Sequence, residues 1–229
     1  MKRWLVVNAD DFGLTAGVNR GIVRAHEHGI VTSASLMMRR PGAEEAAAYA
    51  RRRTQISVGL HVDLGEWLYE SGQWRTLYTL APDDMEGEAA WQLERFRELV
   101  GRGPTHVDSH QHVHLQEPAT TILRGLADSL GVPLRSFSAC VRHCGTFYGQ
   151  TEEGRPLPEG ITVARLIEII EGLEPGVTEL GCHPGESDGL KSSYAAERVR
   201  EIEVLCDPRV REALAAEEVE LRSFADLPH

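Results

Sequence analysis

Apolar and polar positions along the chain follow two rhythms that take turns. Trp4–Ala9 is almost continuously apolar, as in a strand buried on both faces. From Thr15 to Gly29 the spacing turns helical: Val18, Ile22, Val23 and Ala25 supply the apolar side, Thr15 can cap the start and Gly29 stops it. Val31–Met38 reads as the second strand. Pro41 opens a second helix at its first turn, running through Ala43–Arg53, and Ile56–Leu64 is a third strand. Gly65–Gly87, rich in Gly, Asp and aromatics, reads as a long irregular segment before helical spacing returns over Glu88–Val100. Thr105–Ser109 is a short strand, Pro118–Leu130 a helix ended by Gly131, and Val132–Phe137 a strand. Val141–Gly160 again reads as irregular. Ile161–Leu173 is helical, Thr178–Cys182 a strand, Ser192–Leu205 and Pro208–Ala216 helical, and Val219–Phe224 the last strand.

Strand and helix in repeated alternation predict an α/β fold with mostly parallel strands joined by helical crossovers. About seven strands could close into an incomplete or distorted (β/α) barrel, or stay open. With no internal repeat and no credible linker, residues 1–229 read as one domain. The formal net charge of −11 opposes a phosphate backbone, so nucleic acid is not an expected partner. No stretch is long and apolar enough to span a bilayer, and the N-terminal apolar run is too short for a secretory signal, so the expected location is cytoplasmic. Cys140, Cys144, Cys182 and Cys206 are then expected as free thiols. A zinc site built from Cys140, His143, Cys144 and Cys182 is conceivable but poorly spaced.

In parallel α/β folds active sites gather at the C-terminal ends of strands. The unusual polar residues fall there. Asp10 and Asp11 end the first strand, His61 and Asp63 the third, Asp108, His110, His112 and His114 the fourth, and Arg135 lies near the end of the fifth, with His183 directly after the sixth. Adjacent acids could merely cap a helix. Packed together behind an apolar strand, however, they repel unless a cation or a proton is shared. A single histidine such as His61 is more often a core residue, but HVDSHQHVH places four of the ten histidines within nine residues. On an extended backbone His110, His112 and His114 would point to one face, where one or two could ligate a metal and the others orient ligands or substrate. His183, before Pro184–Gly185, suits proton transfer, or is simply a turn histidine.

The blocks VNADDFGLTAGVNRGI, GIVTSASLM, VGLHVDL, PTHVDSHQHVH and ELGCHPG resemble, in order and over nearly the whole chain, the YdjC-like family of carbohydrate deacetylases. That resemblance implies a distorted (β/α) barrel with the catalytic plan of polysaccharide deacetylases. It implies a single divalent ion, Mg²⁺ or Zn²⁺, on Asp11, His61 and His110, with Asp10 as general base and His183 as general acid. Asp63, His112, His114 and Arg135 would support these groups or touch substrate. The implied substrate is a small acetylated sugar. Trp67, Tyr69, Trp74 and Tyr78 could stack on sugar faces, or pack the loop against the barrel or a second subunit, which leaves a homodimer open. The same Asp/His set would serve a metal-dependent phosphoesterase or another amide hydrolase, and a non-catalytic metal- or sugar-binding protein is the further alternative.

Overall fold

The computed structural model describes residues 2–227 apart from Ser71, Glu152, Gly189 and Lys191. Among the described residues, nine strands and seven α-helices follow one another as β1 Arg3–Phe12, α1 Ala16–Glu27, β2 Ser33–Leu36, α2 Ala43–Arg52, β3 Ser57–Val62, β4 Gly65–Glu70, β5 Gln73–Thr79, α3 Pro82–Val100, β6 Val107–Ser109, α4 Ala119–Leu130, β7 Val141–Cys144, α5 Val163–Glu171, β8 Gly176–Cys182, α6 Ala195–Leu205, α7 Pro208–Ala216 and β9 Val219–Leu221. The main sheet runs in the order β6-β3-β2-β1-β8-β7, with β9 paired to the start of β1. All its ladders are parallel. Curled and backed by helices, it forms an incomplete (β/α) barrel. Among the described residues no helix is long and apolar enough to cross a membrane.

The first strand shows how pattern became structure. Every residue from Leu5 to Phe12 is buried, which is why Leu5–Ala9 is apolar save for Asn8 rather than alternating. Fully burying side chains such as Phe12, Ile22 and Leu60 stabilises by about 1.5–3 kcal/mol each. Thr15 accepts the Val18 amide at 3.2 Å and caps α1. Gly101 and Gly131, both left-handed, end α3 and α4.

Four expectations are corrected. The segment Gly65–Gly87 is not irregular: β4 and β5 form an antiparallel hairpin, and α3 already starts at Pro82. Val132–Phe137 is not a full strand. Leu134 makes one parallel bridge to Val107, and Ser136 (φ +66) then turns the chain away before a ladder can grow. Val141–Gly160 contains a short parallel strand, β7, at the sheet edge. Pro41 stands outside α2, ahead of its cap Gly42, instead of in the first turn. The four cysteines form no disulfide.

Candidate active site

In a regular strand Asp10 and Asp11 would point to opposite faces. Here Asp11 has φ +66, and the pairing with β2 slips between Ala9 and Phe12. That irregularity re-aims Asp11, so both carboxylates line one cavity of about 810 Å³. A left-handed non-glycine residue costs of order 1–3 kcal/mol and needs support from its surroundings. Gly13, itself at φ +91, supplies part of it: its amide donates to Asn19 Oδ1 at 2.7 Å, and a Cβ there would lie 2.8 Å from the Met37 carbonyl oxygen. Asn19 also donates to the Gly42 carbonyl at 3.0 Å, so α1 ties both loops together. From α6, Arg198 holds Asp11 Oδ2.

Asp11, His61 and His110 each present one donor atom, all within 4.8 Å of one another. Asp11 Oδ1 is 3.4 Å from His61 Nε2 and 2.9 Å from His110 Nδ1. The strand register explains the support behind His61. Its ladder partner on β6 is Asp108, whose Oδ1 accepts from Nδ1 at 2.7 Å. His110 leads a six-residue 3-10 segment, His110–Leu115, in which Gln111 and His112 have φ of 50° and 55°. The expected extended backbone with three histidines on one face is therefore absent. His112 lines the cavity, while His114 is fully buried against Ser109 at 2.7 Å.

Asp10 is gripped at both oxygens by Arg135, at 2.6 and 2.7 Å, in the forked geometry that favours guanidinium–carboxylate pairs. Arg135 also reaches Asp108 at 2.8 Å and Glu179 at 2.8 Å. Burial pushes the Asp10 carboxyl up, but the guanidinium outweighs it and holds the group well below the usual range. His183 stands beside Asp10 because Ala9 and Cys182 are paired on β1 and β8. Its Nε2 is 3.8 Å from Asp10 Oδ2. Burial pushes His183 down to about 4 against the pull of Asp10 and Asp11, so it is neutral at neutral pH. Tyr148 and Tyr194, stacked with ring centroids 4.6 Å apart, flank the His183 ring at 5.3 and 5.7 Å. Behind them Glu201 accepts from the Tyr194 hydroxyl at 2.7 Å and from the His183 amide, and burial raises its carboxyl to about 7.

The first trio suits a divalent ion. One carboxylate oxygen and two imidazoles are a common three-ligand set that leaves a position open. His61 has a carboxylate behind it that fixes its tautomer, and Nε2 of His110 is buried with no hydrogen-bond partner among the described residues. Charge agrees. Four buried carboxylates, Asp10, Asp11, Asp108 and Glu179, are paired with two guanidiniums, Arg135 and Arg198. Without an ion, the remaining negative charge is met by protons on the two histidines. Burial disfavours their charged forms, yet Asp108 lifts His61 to about 10 and Asp11 lifts His110 to about 9. A second trio, Asp10, His61 and Asp108, also comes together. Arg135 already binds both of its acids, and Asp108 does not line the cavity, so the first trio is the better site. Neither trio contains a cysteine, and a Cys140–His143–Cys144–Cys182 cluster is not assembled among the described residues.

Asp63 is buried and accepts from Arg40 at 2.7 Å and from Tyr78. Arg40 also binds Glu66, whose Oε1 lies 3.5 Å from His110 Nε2. Glu66, Arg198, Glu179 and Glu201 went unrecognised in sequence. Arg198 and Glu201 look like ordinary helix charges in AAERVREIE, and only their burial, at 5% and 0% exposure, sets them apart.

The family profile for YdjC-like protein matches residues 4–216. A chitooligosaccharide deacetylase from Serratia marcescens is 34% identical over 99% of this chain and 100% of its own. A carbohydrate deacetylase from Geobacillus stearothermophilus is 34% identical over 99% of this chain and 98% of its own. Among solved structures, an Enterococcus faecalis V583 protein described as a candidate cellobiose-phosphate cleavage protein superposes with a TM-score of 0.82 at 25% identity, each chain covered completely.

Proposed function

The chain belongs to the YdjC-like protein family, and from that footing we propose that it is a metal-dependent hydrolase removing the acetyl group from an N-acetylated sugar. One observation carries the reading: the left-handed turn at Asp11 brings its carboxylate to the wall of a cavity that Asp10, His61, His110 and His183 also line. Relatives named as deacetylases of carbohydrates, matched from end to end, support it.

Asp11, His61 and His110 would hold the ion, and the two imidazoles favour Zn²⁺ over Mg²⁺. Bound there, it supplies Lewis-acid polarisation of the acetamide and acidifies water. Asp10 takes one proton from the attacking water as the water oxygen bonds to the acetyl carbon. Arg135 keeps Asp10 ionised for that task and fixes its direction. Protonated Asp10 is a strong acid, and His183 Nε2 at 3.8 Å is its nearest imidazole acceptor. His183 then delivers the proton to the sugar nitrogen as the C–N bond breaks. Without it the leaving group would be an amide anion. The products are acetic acid and a free amine, which part in water as acetate and an ammonium group, and Asp10 and His183 return to their starting charges. Neutral His183 fits this order of events, since it waits for the proton that Asp10 passes on. The Tyr148–Tyr194 pair flanks the ring, and Glu201 holds the backbone amide of the same residue.

The test is acetate release from N-acetylglucosamine and its oligomers by metal-stripped protein with Mg²⁺, Zn²⁺ or Co²⁺ restored, alongside phosphate release from sugar phosphates. Acetate release that depends on added metal is the expected result. Full activity without metal, or phosphate release alone, overturns the reading.

A further inference from the structure

The two imidazoles of the proposed metal trio are mounted in opposite senses. His61 turns Nε2 to Asp11 at 3.4 Å and gives Nδ1 to Asp108 at 2.7 Å. His110 presents the other nitrogen: its Nδ1 is 2.9 Å from Asp11 Oδ1. The far nitrogen, Nε2, is buried, and Glu66 Oε1 lies 3.5 Å from it, at the outer edge of hydrogen-bond reach.

Glu66 comes from the β4–β5 hairpin, outside the main sheet, and several contacts set its position. Glu66 pairs with Tyr78 and Trp67 with Thr76, so Leu77 is the extra residue of a bulge, a device that re-aims side chains. Neighbours on a regular strand point to opposite faces, yet Glu66 and Trp67 both line the cavity. Arg40 binds the Glu66 carboxylate and also reaches Asp63 at 2.7 Å and the Tyr78 hydroxyl at 2.8 Å. One residue along, Gln111 accepts the Trp67 amide at 2.8 Å and donates to the Trp67 carbonyl at 2.7 Å. Residues 66 and 67 of the hairpin are thus laid against residues 110 and 111.

A neutral imidazole that ligates through one nitrogen carries its proton on the other, and the hydrogen bond made there decides which is which. We infer that Glu66 is the positioning residue of His110: its carboxylate accepts from Nε2–H and commits Nδ1 to the ion, as Asp108 commits Nε2 of His61. The hairpin that borders the cavity therefore also orients a metal ligand. The inference rests on the metal-binding reading above.

The experiment uses the full chain, stripped of metal and titrated with Zn²⁺ against a chromogenic chelator, as wild type and as Glu66→Gln. Circular dichroism and melting temperature of the metal-free proteins check the fold. Glu66→Gln should weaken Zn²⁺ binding about 10–100-fold. In parallel, nitrogen-15 spectra of histidine-labelled, zinc-loaded wild type should show one ligating imidazole of each kind, one bound through Nε2 and one through Nδ1. In Glu66→Gln the proton on Nε2 of the second kind should shift, while the Nδ1 proton of the first stays. Two imidazoles both bound through Nε2 in the wild type overturn the inference, and this spectrum decides even if the variant does not fold. Zn²⁺ affinity unchanged in a folded Glu66→Gln overturns it too. Failure of the wild type to bind Zn²⁺ at all would instead strike the metal-dependent reading itself.

Discussion

His61 and Asp108 are paired residues on neighbouring parallel strands, and the same register that aligns their backbones brings Nδ1 of one to 2.7 Å from Oδ1 of the other. The carboxylate therefore chooses the tautomer: Nδ1 carries the proton and Nε2 is turned toward Asp11 and His110.

Asp108→Asn keeps the size of the side chain but gives up that choice. Affinity for Zn²⁺ should fall about 10–100-fold, the usual effect of losing a group behind a ligating histidine. Competition against a chromogenic chelator measures it, with circular dichroism to check the fold. Unchanged affinity would show that Asp108 serves only Arg135.

Metal uptake should expel protons. His61 and His110, raised to about 10 and about 9, are both protonated at pH 7 in protein without the ion, and both must be neutral to ligate. Calorimetry at pH 7 in buffers of different ionisation enthalpy should therefore report about two protons released per ion. Affinity should rise with pH up to about 10, where the second of the two histidines loses its proton. Release of no protons would place the ion elsewhere.

Asp10→Asn should retain the ion, because Asp10 is not among its three proposed ligands, yet lower kcat by about 10²–10⁴ as expected for loss of a general base. His183→Gln should lower kcat on the amide in the same range but far less on activated, phenol-like esters, which need no proton on departure. Equal losses on amide and activated ester would remove the general-acid assignment.

His106 gives a prediction about stability that does not involve the reaction. It is buried, stacked on Phe224 at 3.9 Å and bonded to Ser35 at 3.0 Å, and burial pushes it down to about 4. The unfolded chain, near 6.5, binds a proton first. Its contribution is thus fully present above about pH 6.5 and is lost as pH falls toward about 4, amounting to about 3 kcal/mol. Urea titrations across that window should show a shallower pH slope in His106→Gln than in the wild type. Identical slopes would refute the assignment.

Much of this was legible beforehand, and the exceptions have identifiable causes. β1, α1, β3 and β8 declared themselves through long apolar runs and clear caps such as Thr15. The rim position of Asp10, Asp11, His61, His110 and His183 followed from strand ends alone. The hairpin was hidden because a bulge at Leu77 breaks the alternation that marks a strand, although Ser71–Gly72 between two aromatic runs was an available turn signal. The fate of the three histidines depended on left-handed backbone at Gln111 and His112, residue types that give no warning of it. Arg198 reaches Asp11 across 187 positions of sequence, and no local pattern encodes such a meeting.

Arg135 follows the lone bridge between Leu134 and Val107, and from there its guanidinium spans the interior to Asp10 on β1 and Glu179 on β8. A lace of charge thus stands where a neighbouring strand would otherwise zip the wall shut. The protein has merged two offices in one side chain: the group that sets the proton affinity of the base also fastens the seam. Anyone seeking to retune the chemistry by altering residue 135 will find the architecture loosening in step, so the practical handles lie on the far side, at the residues that surround His183.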